Sequence, residues 1–130
     1  MDAMTETVLY GIPNCDTVKR ARVWLASQRV VHRFHDFKKA GVPTDGLDDW
    51  LAACGWERLL NRRGTTWRQL DAGTQATVID AATARAVMLA NASVIRRPVV
   101  VWADGSVTVG FDARAWGDKA SLDEAGVTPK

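Results

Sequence analysis

Short apolar runs at the two ends of the chain frame a middle with helical periodicity, and the change of period predicts the element order. Val8 to Tyr10 is an apolar run that stops at Gly11 and Pro13, which predicts a short buried strand. From Cys15 onward Val18, Ala21 and Leu25 recur at helical spacing, while Asp16, Lys19, Arg20 and Arg22 fall on other faces. A helix with Asn14 as its N-cap is expected there. In the stretch VHRFHDF, residues 31–37, Val31, Arg33, His35 and Phe37 alternate with His32, Phe34 and Asp36, the period of a strand. Strand, helix and strand in succession predict a right-handed βαβ unit with parallel strands.

The segment from Thr44 to Asn91 changes character. Leu47, Trp50, Leu51 and Cys54 stand at i, i+3, i+4 and i+7, one helical stripe closed by Gly55. Further short helices are expected over WERLLNRRG up to Gly64, and after Thr65 or Thr66 as cap. Another follows from Thr74 as cap, with Asp80 as a candidate break. After Pro98, VVVW and SVTV read as two strands joined by the turn ADG, and Asp112 caps a final ARAW helix ending at Gly117.

These elements predict an α/β, thioredoxin-like fold. Its four-stranded mixed sheet is built from β-α-β, then a β-hairpin and a terminal helix, with a helical insert between strands 2 and 3. The expected organisation is a single domain over 1–130, with core segments 7–40 and 95–118, a helical lobe 43–92 and a loose tail 119–130.

Composition narrows the setting. With 47% apolar and 25% charged residues, the 130-residue chain has the balance of an ordered globular protein. A net charge of +2, with no helix-turn-helix pattern or long basic stripe, gives no reason to expect direct nucleic-acid binding. No apolar run reaches membrane-span length, and MDAMTETVLY lacks a basic segment followed by an apolar one, so a cytoplasmic protein away from the membrane is expected. Two cysteines, Cys15 and Cys54, are too few for a disulfide scaffold or a structural zinc site.

Cys15 is the candidate nucleophile. A thiol in the first turn of a helix meets unpaired backbone N–H groups and the positive end of the helix dipole. Such sites lower a thiol pKa from about 8.5 to roughly 3.5–7.5. Lys19, one turn on, is expected to add a cation. Cys54 instead completes the apolar stripe of its helix and is expected to be an inert, packed thiol. Val18 stands where redox dithiol proteins carry their second cysteine, so an adduct on Cys15 must be resolved by an external thiol or by Cys54. Two arginine clusters, NRRGTTW from Asn61 and IRRPVVV from Ile95, offer planar donor forks suited to oxyanions and carboxylates.

The motifs YGIPNCDT, LLNRRGTTWRQLD and RRPVVV, in this order and spacing, resemble the arsenate reductase-like family of glutaredoxin relatives, closest to its Spx/YffB branch, over about residues 7–118. The resemblance makes Cys15 the nucleophile, Arg63 the arginine of the TRGTTW-type motif, and Arg97 the arginine before a cis-proline at Pro98. With Asn14 and Lys19 these are the expected substrate- or thiol-binding residues. It implies a glutathione-dependent thiol reductase with no metal and no bound cofactor, glutathione being a co-substrate and an oxidised thiol or an oxyanion such as arsenate the substrate. The alternative is a non-enzymatic, Spx-like regulatory or protein-binding module with a protein partner. Beside Arg63, Arg62 replaces a small residue of the motif. Two further departures stand out: Gly110 falls where arsenate reductases carry a third arginine in the last hairpin, and Val18 removes the dithiol switch of Spx regulators.

Overall fold

The computed structural model describes residues 6–117. Two compact units divide the chain, one holding the described residues up to Asp36 and from Arg97 onward, the other Phe37–Arg96. The tail 119–130 lies outside the described residues.

The first unit is built on strands β1 (Thr7–Gly11), β2 (His32–Asp36), β3 (Val99–Val101) and β4 (Val107–Val109) in the order β2-β1-β3-β4. β1 runs parallel to β2, with Leu9 opposite Phe34, and antiparallel to β3, with Leu9 opposite Val100. β3 and β4 form the expected hairpin. Helix α1 (Asp16–Ser27) turns Val18, Ala21 and Leu25 inward, so the three positions picked out by the 3.6-residue period are fully buried. They join Leu9, Val30, Val100, Trp102 and Trp116 in one core, with Cys15, Trp24, Phe34 and Phe111 packed at its margin. Aromatic rings fill the far side of that core. Trp116 meets Trp24, Trp102 and Phe111 edge-on at centroid distances of 5.7, 5.1 and 4.9 Å, the arrangement that the ring quadrupoles favour. Trp102 keeps its indole N–H satisfied on the Thr108 hydroxyl at 2.9 Å. Residues 113–117 are helical, and the Asp112 carboxylate accepts from the N–H groups of Arg114 and Ala115, the cap expected from the sequence.

The second unit is helical. It holds α2 (Phe37–Ala40), α3 (Thr44–Cys54), α4 (Trp56–Leu59), α5 (Thr65–Gln69), α6 (Ala72–Thr77) and α7 (Ala81–Ala90), followed by a 3-10 turn at Ala92–Val94. Leu47 and Trp50 of α3 are buried, and Gly55 ends the helix at φ +86, a left-handed conformation open to glycine. An isolated antiparallel bridge joins Leu60, in the middle of the unit, to Ile95 near its end. Asp80 does separate two helices, and it caps α7 by a reciprocal box with Thr83. Two expected caps move. α6 is capped by Asp71, whose carboxylate accepts from the Thr74 N–H, so Thr74 is the capped partner. α5 starts after Gly64, with neither Thr65 nor Thr66 as the cap.

Candidate active site

Helix α1 begins one residue later than its sequence pattern suggests. Its N-cap is Cys15, in extended conformation, because the Cys15 carbonyl takes the first helical bond, from the Lys19 N–H at 2.9 Å. Asn14 lies outside the helix and is exposed. The shift matters chemically. At the N-cap, a side chain faces the N–H groups of the first turn, which have no partner within the helix.

The Cys15 sulfur uses that position. Burial, the largest single influence, pushes its pKa up, but the backbone N–H groups of Val18 and Thr17 and the Arg97 guanidinium with its positive charge pull it down, although no N–H of the first turn makes a geometric cap bond to the sulfur. Together they outweigh burial and hold the thiol below its ordinary value.

The cation beside the thiol is Arg97, which lies 82 positions away in sequence. Lys19 was expected in that role, but its side chain is exposed and is not among the groups that lower the Cys15 pKa. Its i+4 position gives the right side of the helix, yet a long, flexible stem keeps its ammonium in water. β3 delivers Arg97. Tyr10 stands opposite Val99, so the residues before Val99 fall beside the end of β1, where the Gly11–Cys15 loop begins. The Arg97–Pro98 peptide bond is cis, as the resemblance implies. The neighbouring Arg96 goes elsewhere, donating from Nε to the Arg58 carbonyl at 3.0 Å, so the two adjacent arginines have separate tasks.

Arg63 belongs to the helical unit, in the turn before α5. It is exposed, its N–H donates to the Asn61 side-chain oxygen at 3.2 Å, and its carbonyl accepts from Arg68. Arg62 lays its guanidinium over the Trp56 ring at 5.0 Å, a cation–π contact. Cys54 has the opposite electrostatics to Cys15. Burial raises its pKa, and the charge of Arg58 offsets only part of that.

Gly11 is a positioning residue that periodicity does not reveal. A Cβ placed on it would stand 2.8 Å from Cγ2 of Val18, a β-branched residue with no exposed surface and little freedom to turn aside. The only local signal is a glycine at the end of a strand with a bulky apolar residue one helical turn into the next element. Gly11→Ala is expected to push α1 off the sheet, costing about 1–3 kcal/mol of stability and slowing Cys15 alkylation. Urea unfolding and timed iodoacetamide labelling check the two effects.

Gly110 has φ +84 and donates its N–H to the Pro98 carbonyl at 2.9 Å. The left-handed backbone favours glycine at this point, as L side chains pay a steric penalty there.

Among the described residues, no group of three or more His, Cys, Asp or Glu side chains is placed to hold a metal ion, and no helix is long and apolar enough to cross a membrane.

A mixed four-stranded sheet with a cysteine capping the helix after its first strand, and an arginine before a cis-proline turned towards the thiol, defines a thioredoxin-like protein. The ArsC family model matches residues 10–118, and the chain belongs to that family of arsenate reductase-like proteins. An uncharacterized protein of Haemophilus influenzae is 38% identical over 108 residues, 83% of this chain and 93% of its own length. A solved structure named YFFB protein is 43% identical with a TM-score of 0.82, covering 88% of this chain and 98% of its own. An arsenate reductase (ArsC) related protein from Brucella melitensis is 42% identical with a TM-score of 0.68, over 90% of this chain and 97% of its own. The arsenate reductase from Vibrio cholerae, 16% identical with a TM-score of 0.73 over 90% and 99% of the two chains, shares the fold.

Proposed function

We propose that the protein is a glutathione-dependent thiol oxidoreductase working through the single nucleophile Cys15. The observation that carries this reading is the place of Cys15 at the N-cap of α1, with Arg97 brought beside it by the pairing of β3 with β1, a setting that lowers the thiol pKa and favours the thiolate. Membership of an arsenate reductase-like family supports redox chemistry at this position.

With a glutathionylated protein as substrate, the Cys15 thiolate attacks the glutathione sulfur. An S–S bond forms between Cys15 and glutathione, the original S–S bond breaks, and the protein thiolate leaves and takes a proton from water. A glutathione thiolate then attacks the sulfur of the glutathione held on Cys15, releasing glutathione disulfide and restoring the Cys15 thiolate. One glutathione thiol is consumed in net: its sulfur is oxidised to the disulfide level as the protein sulfur is reduced to the thiol, while the glutathione sulfur that came with the substrate stays at the disulfide level throughout. Arg97 stabilises the Cys15 thiolate before attack and as it leaves, and can turn to a glutathione carboxylate while the adduct exists. Asn14 and Lys19 are assigned to the approach of the thiol substrate, and Arg63 enters as a ligand for substrate anions through the family resemblance alone.

Arg97→Gln removes the charge and keeps a donor. Its loss raises the thiol pKa, so at neutral pH less Cys15 is ionised, and the pH midpoint of its alkylation moves up. A charge-assisted hydrogen bond contributes about 1.5–3 kcal/mol, and exposure discounts it. Turnover at neutral pH is therefore expected to fall on the order of tenfold and to recover partly at higher pH, as pH–rate profiles of both proteins will show. An unshifted midpoint would remove Arg97 from the mechanism.

Arsenate is expected to be a poor substrate. Its charge is spread over several oxygens and binding depends on donors arranged around it, while the last hairpin offers Gly110 in place of an arginine. One missing charge-assisted contact corresponds to about tenfold to a hundredfold or more in affinity. Glutathione leans on the chain before Pro98 and needs one arginine for a carboxylate, so it loses less. Parallel assays of glutathione-coupled arsenate turnover and reduction of a glutathionylated peptide decide the point. Arsenate turnover equal to peptide turnover would contradict it.

A further inference from the structure

The outer face of α1 carries a shallow groove that, apart from Lys19, is made of residues with no part in the chemistry at Cys15. It is lined by Lys19, Arg20, Val23, Trp24 and Ser27. Val23 is 70% exposed and gives the groove an apolar surface beside its cations. Lys19 and Arg20 are exposed as well, and neither is held in an ion pair among the described residues. Arg22, by contrast, is used, with its guanidinium 4.4 Å above the Phe34 ring. Against Asp16, the helix carries Lys19, Arg20 and Arg22, so its charge is positive beside an apolar strip.

Cys15 does not line the groove but caps the helix that carries it. Helical rise is about 1.5 Å per residue, so Lys19 lies roughly 6 Å along the axis from Cys15 and Val23 roughly 12 Å. An extended peptide advances about 3.3 Å per residue. A polypeptide whose cysteine is linked to Cys15 reaches the Lys19–Arg20 level after about two residues and the Val23–Trp24 level after about four.

We propose that this groove docks the polypeptide of a protein disulfide substrate, selecting an acidic residue about two positions from the substrate cysteine and an apolar one about four positions from it. The proposal rests on the thiol chemistry proposed above and adds the substrate class to it. Charge complementarity commits the occupant: two unpaired cations beside an apolar floor match an acidic–apolar segment, and repel a basic one. Glutathione carries carboxylates but no apolar group to cover Val23 and Trp24. A second copy of the chain would bring the same cations face to face.

The test separates docking from chemistry. Docking is measured with the Cys15→Ser protein by fluorescence anisotropy of a labelled peptide bearing the acidic and apolar residues, against a peptide with lysine in place of the acidic residue. Chemistry is measured with the mixed disulfide of glutathione and 2-mercaptoethanol, too small to fill the groove. The variants are Arg20→Glu and Val23→Glu, both at exposed positions of the helix, with unfolding midpoints recorded as a check on folding. The expected result is about tenfold weaker acidic-peptide binding in each variant, a matching rise in KM for the glutathionylated acidic peptide, and unchanged turnover of the small disulfide. Peptide binding equal in all proteins, or equal for the acidic and basic peptides, would overturn the docking proposal while turnover of the small disulfide leaves the thiol chemistry standing. A raised KM for glutathione in the variants would assign the groove to glutathione and also overturn it. So would a dimer in solution that Val23→Glu breaks. Loss of small-disulfide turnover in the unaltered protein, with peptide binding intact, would overturn the thiol reading alone.

Discussion

Cys15→Ser is expected to abolish reduction of a glutathionylated peptide, lowering kcat/KM by at least about a thousandfold, because a serine hydroxyl without an adjacent base is a poor nucleophile and cannot form the disulfide intermediate. The matching experiment on the unaltered protein is site-resolved labelling. Cys15 has its pKa lowered and Cys54 has it raised, so the alkylation profile of Cys15 should rise at lower pH than that of Cys54. Near neutral pH Cys15 is then the more ionised, and since the thiolate is the reacting form, it should be modified first. A low-pKa thiolate is intrinsically somewhat less nucleophilic, which narrows the advantage without reversing it. Peptide mapping by mass spectrometry after brief exposure to iodoacetamide reads both sites at once. Preferential labelling of Cys54, or undiminished turnover in Cys15→Ser, would sink the assignment, and an unreactive Cys15 with no turnover of any disulfide would favour a protein-binding module.

The second large effect is on stability. Trp116 is 1% exposed and packs edge-on against three other aromatic rings. Trp116→Ala removes a large buried side chain and leaves a cavity walled by stiff rings, which cannot collapse to fill it. Such truncations cost about 3–5 kcal/mol, a large share of the roughly 5–15 kcal/mol that holds a domain folded. A fall in Tm of about 10 °C or more is expected by differential scanning calorimetry. Trp116→Phe keeps an aromatic ring and should recover a good part of the loss. The same core holds Cys15 at its margin, so the alanine variant should also lose the difference in alkylation rate between its two cysteines as it loosens. A Tm within 2 °C or so of the parent would mean that the aromatic cluster adds little beyond its neighbours.

Much of the architecture is legible along the chain because it depends on neighbours. Buried Val18, Ala21 and Leu25 follow from a 3.6-residue period, the hairpin from two valine runs around ADG, and the position of Cys15 between strand and helix from where the period changes. The break at Asp80 is legible for the same reason, since its capping partner Thr83 is three residues away.

Helix starts are less legible. Whether Asn14 or Cys15 caps α1 depends on which carbonyl receives the first i+4 bond, a choice among adjacent residues that local composition barely separates. Thr74 and Asp71 present the same ambiguity, since either could cap a helix and only the backbone shows which side chain accepts.

The sequence by itself determined the order of the main elements, the buried face of α1 and the position of Cys15 between strand and helix. Each of these follows from residues within a few positions of one another. Tertiary structure decided the cation. Lys19 is near Cys15 along the helix, and Arg97 is near it only because β3 pairs with β1. It also decided that Gly11 must be small, through a contact with Val18 across the turn, and that Gly110 sits in a left-handed conformation beside Pro98. Spacing along a chain carries periodicity, whereas the pairing of distant strands sets which charge stands beside which thiol, and that pairing is fixed only when the whole sheet closes over its core.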